Sequence, residues 1–165
     1  MKETTDRICN FLGNIGIEVT FRSIDRSTFL PGILIENGTL VVDLDQLLYP
    51  GDLLHEAGHI AVETPERRPL LQDDVEAGKP PGESLEMAVI LWSYAALRHL
   101  NLAPEVVFHP TGYKGNALWL QEEFAAGRYL ALPLLQWMGM TYDEKTAVEK
   151  GGAPFPAMRC WLRPA

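Results

Sequence analysis

Positive charge is scarce in this 165-residue chain: 14 Lys and Arg stand against 22 Asp and Glu, a formal net charge of −8. A nucleic-acid binder needs a basic stripe that displaces counterions from phosphates. The only adjacent basic pair, Arg67-Arg68, is followed by Asp73-Asp74 and Glu76. Direct DNA or RNA binding is therefore not expected, nor is attraction to an anionic membrane surface. Cysteine is nearly absent. Cys9 and Cys160 lie near opposite ends without a CxxC spacing, so free buried thiols in a reducing compartment are expected, with a bridge between the two as the alternative. No apolar run approaches the roughly 18 residues of a membrane span. The opening Met1-Lys2-Glu3-Thr4-Thr5-Asp6-Arg7 lacks the apolar stretch of a secretory signal. Internal repeats and low-complexity runs are also missing. These absences point to a cytoplasmic protein.

What is present is apolar content of 47%, which fits a single domain over 1–165. A domain of this size buries roughly 70% of the surface its unfolded chain exposes. It needs neither metal nor disulfide to fold, so a bound metal would serve chemistry.

The patterning predicts an α+β fold. Ile8, Cys9, Phe11 and Leu12 mark a short amphipathic helix over 5–12. Residues 16–22 alternate apolar and polar, as a strand does. Gly32-Ile33-Leu34-Ile35 and Thr39-Leu40-Val41-Val42 flank Glu36-Asn37-Gly38, and Asn-Gly between β-branched runs is a strong hairpin signal. A small, mostly antiparallel sheet is expected. Asp52 is a candidate N-cap for a helix over 53–63 that stops at Thr64-Pro65. The stretch 65–82 reads as a long surface loop. Residues 83–100 form a helix apolar on nearly every side, and such helices are central. Further helices are expected over 116–126, over 128–138 with Pro133 kinking or dividing it, and over 143–150, before an irregular tail.

The chemistry sits in His55-Glu56-Ala57-Gly58-His59, an HExxH pattern. At about 100° per residue, positions i and i+4 differ by about 40°, so both imidazoles leave the helix on one side. They can grip one zinc ion through neutral ring nitrogens. Glu56 stands about 60° from His59, beside the metal and not on it, where its carboxylate can take a proton from water made acidic by the ion. A catalytic zinc site keeps three protein ligands and one open position. Metzincins take the third from a His six residues after the second, with Gly midway. Here Pro65 and Val62 hold those places, and that class is excluded.

The remaining candidates are Glu83 and Glu86. Glu86 is favoured because it adjoins the apolar helical body, where an unpaired carboxylate is costly and ligation removes the cost. The competing reading is that both are first-turn acids favoured by the helix dipole. His99 lies thirteen positions past Glu86 and about 140° round the helix, which makes it a C-terminal cation of that helix. His109, in Phe108-His109-Pro110-Thr111-Gly112-Tyr113, is expected in an ordinary surface turn. The same loop could alternatively bring a His or Tyr to stabilise an oxyanion.

In the order of these parts over about the first 100 residues, the chain resembles the gluzincin branch of zincins, and more narrowly the ImmA/IrrE-type metallopeptidases. The resemblance implies a small zincin-like domain with an N-terminal helix, a sheet ending in a hairpin, the HExxH helix and a following helix that supplies a Glu, while the mostly helical C-terminal half is read from the patterning alone. It implies zinc held by His55, His59 and a Glu, with Glu56 as general base. It also implies cytoplasmic limited proteolysis, often of repressor-type regulators. The partner expected is a protein or peptide substrate. A different class of function is a non-catalytic regulatory module that keeps the metal site for stability or sensing.

Overall fold

A computed structural model describes residues 2–73, 75 and 84–165. Helix α1 (Lys2–Asn14) buries Thr5, Ile8, Phe11 and Leu12, at i, i+3, i+6 and i+7, one helical face. Three short strands follow: β1 (Val19–Phe21), β2 (Ile33–Glu36) and β3 (Thr39–Val42). They form one sheet in the order β1-β3-β2. The hairpin is as predicted. Ile33 pairs with Val42 and Glu36 with Thr39, antiparallel, and Asn37 and Gly38 turn at φ 52° and 73°, both in the left-handed region a tight hairpin requires. A Cβ on Gly38 would also sit 2.4 Å from the Arg68 carbonyl oxygen.

The sheet is mixed, not mostly antiparallel, because β1 pairs with β3 in parallel, Val19 opposite Leu40. Residues 22–32 carry the chain from β1 to the far edge, and the hairpin returns β3 into the middle, pointing the same way as β1. The period-2 alternation divides the sheet's faces. Ile33, Ile35, Leu40 and Val42 enter the main core, whereas Leu34 and Val41 close over Ile24 on the other side.

Helix α2 (Asp52–Val62) is buried along its whole length. It contacts α1, β2 and α3 (Glu86–His99). The α2–α3 contact is close because Gly58 has no side chain. A Cβ there would lie 2.9 Å from Val89 Cγ1 and 3.3 Å from the Val89 carbonyl. The Ser93 hydroxyl lies between the Val89 carbonyl at 2.8 Å and the Leu54 carbonyl of α2 at 3.2 Å. The last carbonyls of α2, which lack partners within the helix, are met from outside. Arg68 donates to Ile60 and Glu63 at 3.0 and 3.1 Å, and the Arg163 amide donates to Ala61 at 2.8 Å. The tail predicted as irregular thus closes the end of the central helix. Trp92 Nε1, donating to the Trp161 carbonyl at 2.9 Å, ties the same tail to α3.

Beyond α3 lie α4 (Ala117–Ala125), α5 (Leu132–Trp137) and α6 (Glu144–Lys150). Asp143 caps α6, accepting from the Thr146 amide at 2.7 Å. Pro133 neither kinks nor divides a helix. It stands in the first turn of α5, where its missing N–H has no intrahelical partner to lose. Of the loop expected over 65–82, Arg68–Leu70 forms a 3-10 turn and Gln72 bridges to Glu36; residues 74 and 76–82 lie outside the described residues. Cys9 and Cys160 are free thiols, both half-buried, and burial pushes Cys9 up to about 11. Among the described residues, no helix is long and apolar enough to cross a membrane.

Candidate metal centre

The i, i+4 spacing on α2 sets the His55 and His59 rings 5.1 Å apart, nearly perpendicular. Glu56 completes a buried group whose ligand atoms all lie within 4.8 Å of one another and which can hold a metal ion. Glu86 opens α3 directly opposite. One of its carboxylate oxygens is 3.6 Å from His55 Nε2 and the other 3.5 Å from His59 Nε2. Direct charge-assisted hydrogen bonds would be shorter, about 2.7–2.9 Å. Tetrahedral zinc with ligand bonds of about 2.0–2.1 Å places its donor atoms about 3.4 Å apart. Each histidine nitrogen has a Glu86 oxygen near that separation, a different oxygen in each case, so Glu86 stands beside the His55–Glu56–His59 group where it could join a shared ion. Glu83, the other candidate, lies outside the described residues.

Protonation favours the same chemistry. Burial pushes the His55 imidazole down to about 4, so at neutral pH it carries the lone pair that ligation needs. Burial first, then the carboxylates of Asp73, Glu86 and Asp52, pushes Glu56 up to about 8. A carboxyl group in that range can both accept and return a proton near pH 7. His55 Nδ1 is buried without a hydrogen-bond partner among the described residues, and Tyr113 packs edge-on against the ring at 5.6 Å.

Two expectations are corrected at the start of α2. Gly51, not Asp52, occupies the N-cap, and no side chain caps the helix. Asp52 is instead the first helical residue, and its Oδ1 is 2.8 Å from His109 Nε2. His109 is accordingly buried and not in an ordinary surface turn. Its Nδ1 meets Thr111 Oγ1 at 2.9 Å and its ring stacks on Tyr49 at 3.8 Å. The cause is the close packing of Gly51 on the backbone of Val106 and Val107, with no space for a Cβ. That contact lays the following segment over the helix start. Burial raises Asp52 above the ordinary aspartate value, and its bond to His109 opposes the rise. His99, as expected, stays away from the centre: it is exposed at the end of α3 beside Phe11 and Trp161.

The His109 loop does reach the centre, through Tyr113. Tyr113 and Lys114 both adopt left-handed backbone, φ 54° and 53°, an unfavourable conformation for residues with bulky side chains. The Tyr113 hydroxyl is buried and has no hydrogen-bond partner among the described residues. Burial and the charges of Asp52, Glu86 and Glu56 raise it well above the ordinary phenol value, so it remains a hydrogen-bond donor. The sequence offered a His or Tyr of this loop as a candidate oxyanion donor, and Tyr113 is the tyrosine of that stretch. A cleft of about 830 Å³ opens over His55, Glu56, His59 and Glu86, with Tyr113 and Lys114 also lining it. Such a volume suits a small-molecule or peptide ligand.

Comparison with known proteins supplies no relative for this arrangement: no family model matches the chain, and no curated protein or solved structure matches it either.

Proposed function

We propose that this chain is a zinc-dependent metallopeptidase on a small gluzincin-like scaffold of the ImmA/IrrE type, hydrolysing peptide bonds in a restricted cytoplasmic protein substrate. The observation that carries the reading is the convergence of Glu86 on both Nε2 atoms of the HExxH pair, at 3.5 and 3.6 Å. When bound, zinc supplies Lewis acidity that polarises a carbonyl and lowers the pKa of water. His55, His59 and Glu86 would hold the ion. Glu56 takes a proton from the attacking water on its carboxylate and returns it to the leaving amine nitrogen. The Tyr113 hydroxyl donates to the carbonyl oxygen as negative charge develops on it.

One observation favours a second reading, a non-catalytic zinc module. Glu56 lies close enough to both histidines to be a ligand itself, and a fourth protein ligand would close the site. Glu56→Gln separates the two. The peptidase reading expects about one zinc per chain to be retained, while cleavage in a proteome-derived peptide library falls by at least about 10²-fold, the contribution of a positioned general base. Loss of zinc from Glu56→Gln would make Glu56 a ligand and support the closed module. Undiminished cleavage would remove Glu56 from the chemistry.

A further inference from the structure

The cleft beside the metal-ligand cluster has an apolar wall built from two helices. On α3, Ile90 lies four residues after Glu86 and so shares its face. Ile90 is 7% exposed, while Met87, one residue after Glu86, is 40% exposed. From α4 come Leu120, 4% exposed, and Trp119, 45% exposed. All four line the same cleft as His55, Glu56, His59 and Glu86. Burial is therefore graded: Ile90 and Leu120 are closed off by packing, and Met87 and Trp119 stay open to solvent. Apolar surface left in water gains free energy when a ligand covers it. A Trp ring and a Met thioether are the side chains best able to fit varied apolar shapes, one rigid and flat, the other flexible and polarizable.

The charges in the cleft argue against anionic ligands at this position. Glu56, Asp73 and Glu86 contribute three carboxyl groups, and Lys114 is the single Lys or Arg among the described lining residues. An acidic side chain seated against Met87, Ile90 and Leu120 would lose its hydration with no charged partner on that wall. A neutral apolar one would incur no such loss.

We propose that this wall is a specificity pocket for one large apolar side chain of a peptide, Phe, Leu or Met, seated against Met87, Ile90, Trp119 and Leu120, and that it rejects Asp and Glu there. The peptide nature of the ligand rests on the peptidase reading; the side-chain preference rests on the wall.

The test reads binding without hydrolysis. Zinc-loaded Glu56→Gln protein is titrated calorimetrically with end-blocked decapeptides that differ at one position, occupied by Phe, Leu, Ala or Asp. Filling one apolar pocket separates ligands by about 10- to 200-fold. Phe and Leu peptides should bind tighter than the Ala peptide by a factor in that range, and the Asp peptide more weakly than Ala. Adding Trp119→Ala should reduce the Phe-to-Ala ratio at least several-fold, with the melting temperature confirming that this half-exposed position leaves the fold intact. Equal affinity across the series, tightest binding of the Asp peptide, no binding of any peptide, or an unchanged ratio in Trp119→Ala would overturn the pocket. The two readings fail separately. Cleavage of peptides without apolar preference overturns only the pocket. Apolar preference in binding, with no cleavage by the wild-type protein, overturns only the peptidase.

Discussion

His59 Nε2 and the nearer Glu86 carboxylate oxygen lie 3.5 Å apart across the contact between α2 and α3, joining residues from separate parts of the chain. If this approach reflects a shared ion, Glu86→Ala should weaken zinc binding by more than the roughly 10- to 100-fold that loss of an outer partner costs. Glu83→Ala should do much less, and His55→Ala or His59→Ala should remove most of the metal. Competition with a chromogenic chelator measures each. Wild-type affinity in Glu86→Ala would displace it from the ligand set. Because α2 and α3 bury an extensive apolar core of their own, stripping the metal should leave the circular dichroism spectrum nearly unchanged.

Gly58 sets the spacing on which that geometry depends. Alanine is the better helix former by about 1 kcal/mol, so on propensity alone Gly58→Ala would stabilise the protein. The added Cβ would meet Val89 Cγ1 at 2.9 Å and the Val89 carbonyl at 3.3 Å, and a carbonyl within α3 cannot move away alone. Overpacking of this kind costs about 1–3 kcal/mol. Denaturant unfolding should therefore show a net loss of stability, together with weaker zinc binding as α3 is pushed away. A more stable variant would show that the helices are not in contact at Gly58.

The residues whose local and tertiary preferences agree were legible in the sequence. Asn37-Gly38 specifies its hairpin through φ alone, the HExxH helix ends where Thr64-Pro65 must end it, and Glu86 adjoins an apolar helix that has to be buried. What was not legible depends on partners distant in sequence. Val19 pairs with Leu40 in parallel because of where residues 22–32 carry the chain, which no alternation reports. Asp52 and His109 each have an ordinary local role, helix cap and turn residue, and both give it up for a bond 57 positions apart. Pro133 was ambiguous for a simpler reason, since proline both begins and breaks helices.

Asp43 provides a test of the fold by pH, away from the metal centre. Its carboxylate accepts from the Ile24 amide at 2.9 Å and from Gln46 Nε2 at 2.7 Å, with the Asp45 amide at 3.1 Å. Led by the Ile24 bond, these contacts hold its pKa below the ordinary aspartate value. A lowered folded-state pKa gives stabilisation that is complete above the unfolded value, about pH 4. That stabilisation is lost as pH falls through the folded value. Asp43→Asn should lower the melting temperature at pH 7 by several degrees, and the gap to wild type should narrow below about pH 4. A gap that stays constant down to pH 2 would mean that the ionised carboxylate is not what matters.

Tyr113→Phe should improve the resting protein and damage its function. A buried hydroxyl without a partner carries a desolvation penalty of about 1–3 kcal/mol, and among the described residues the Tyr113 hydroxyl is in that position. Its backbone is also held in the left-handed region, so the loop bears a further cost that core packing does not explain. Unfavourable features gathered at one residue facing a cleft are what a functional constraint produces. Phe keeps the ring against His55 and removes only the oxygen. The variant should therefore melt no lower than wild type, retain its zinc, and bind the preferred apolar peptides with unchanged affinity. Turnover should fall by about 10²- to 10³-fold, the effect of deleting one donor to a developing oxyanion, and should appear in kcat with little change in KM. Unchanged turnover would assign the hydroxyl no part in the reaction. A loss of stability would show that the oxygen has a structural partner after all.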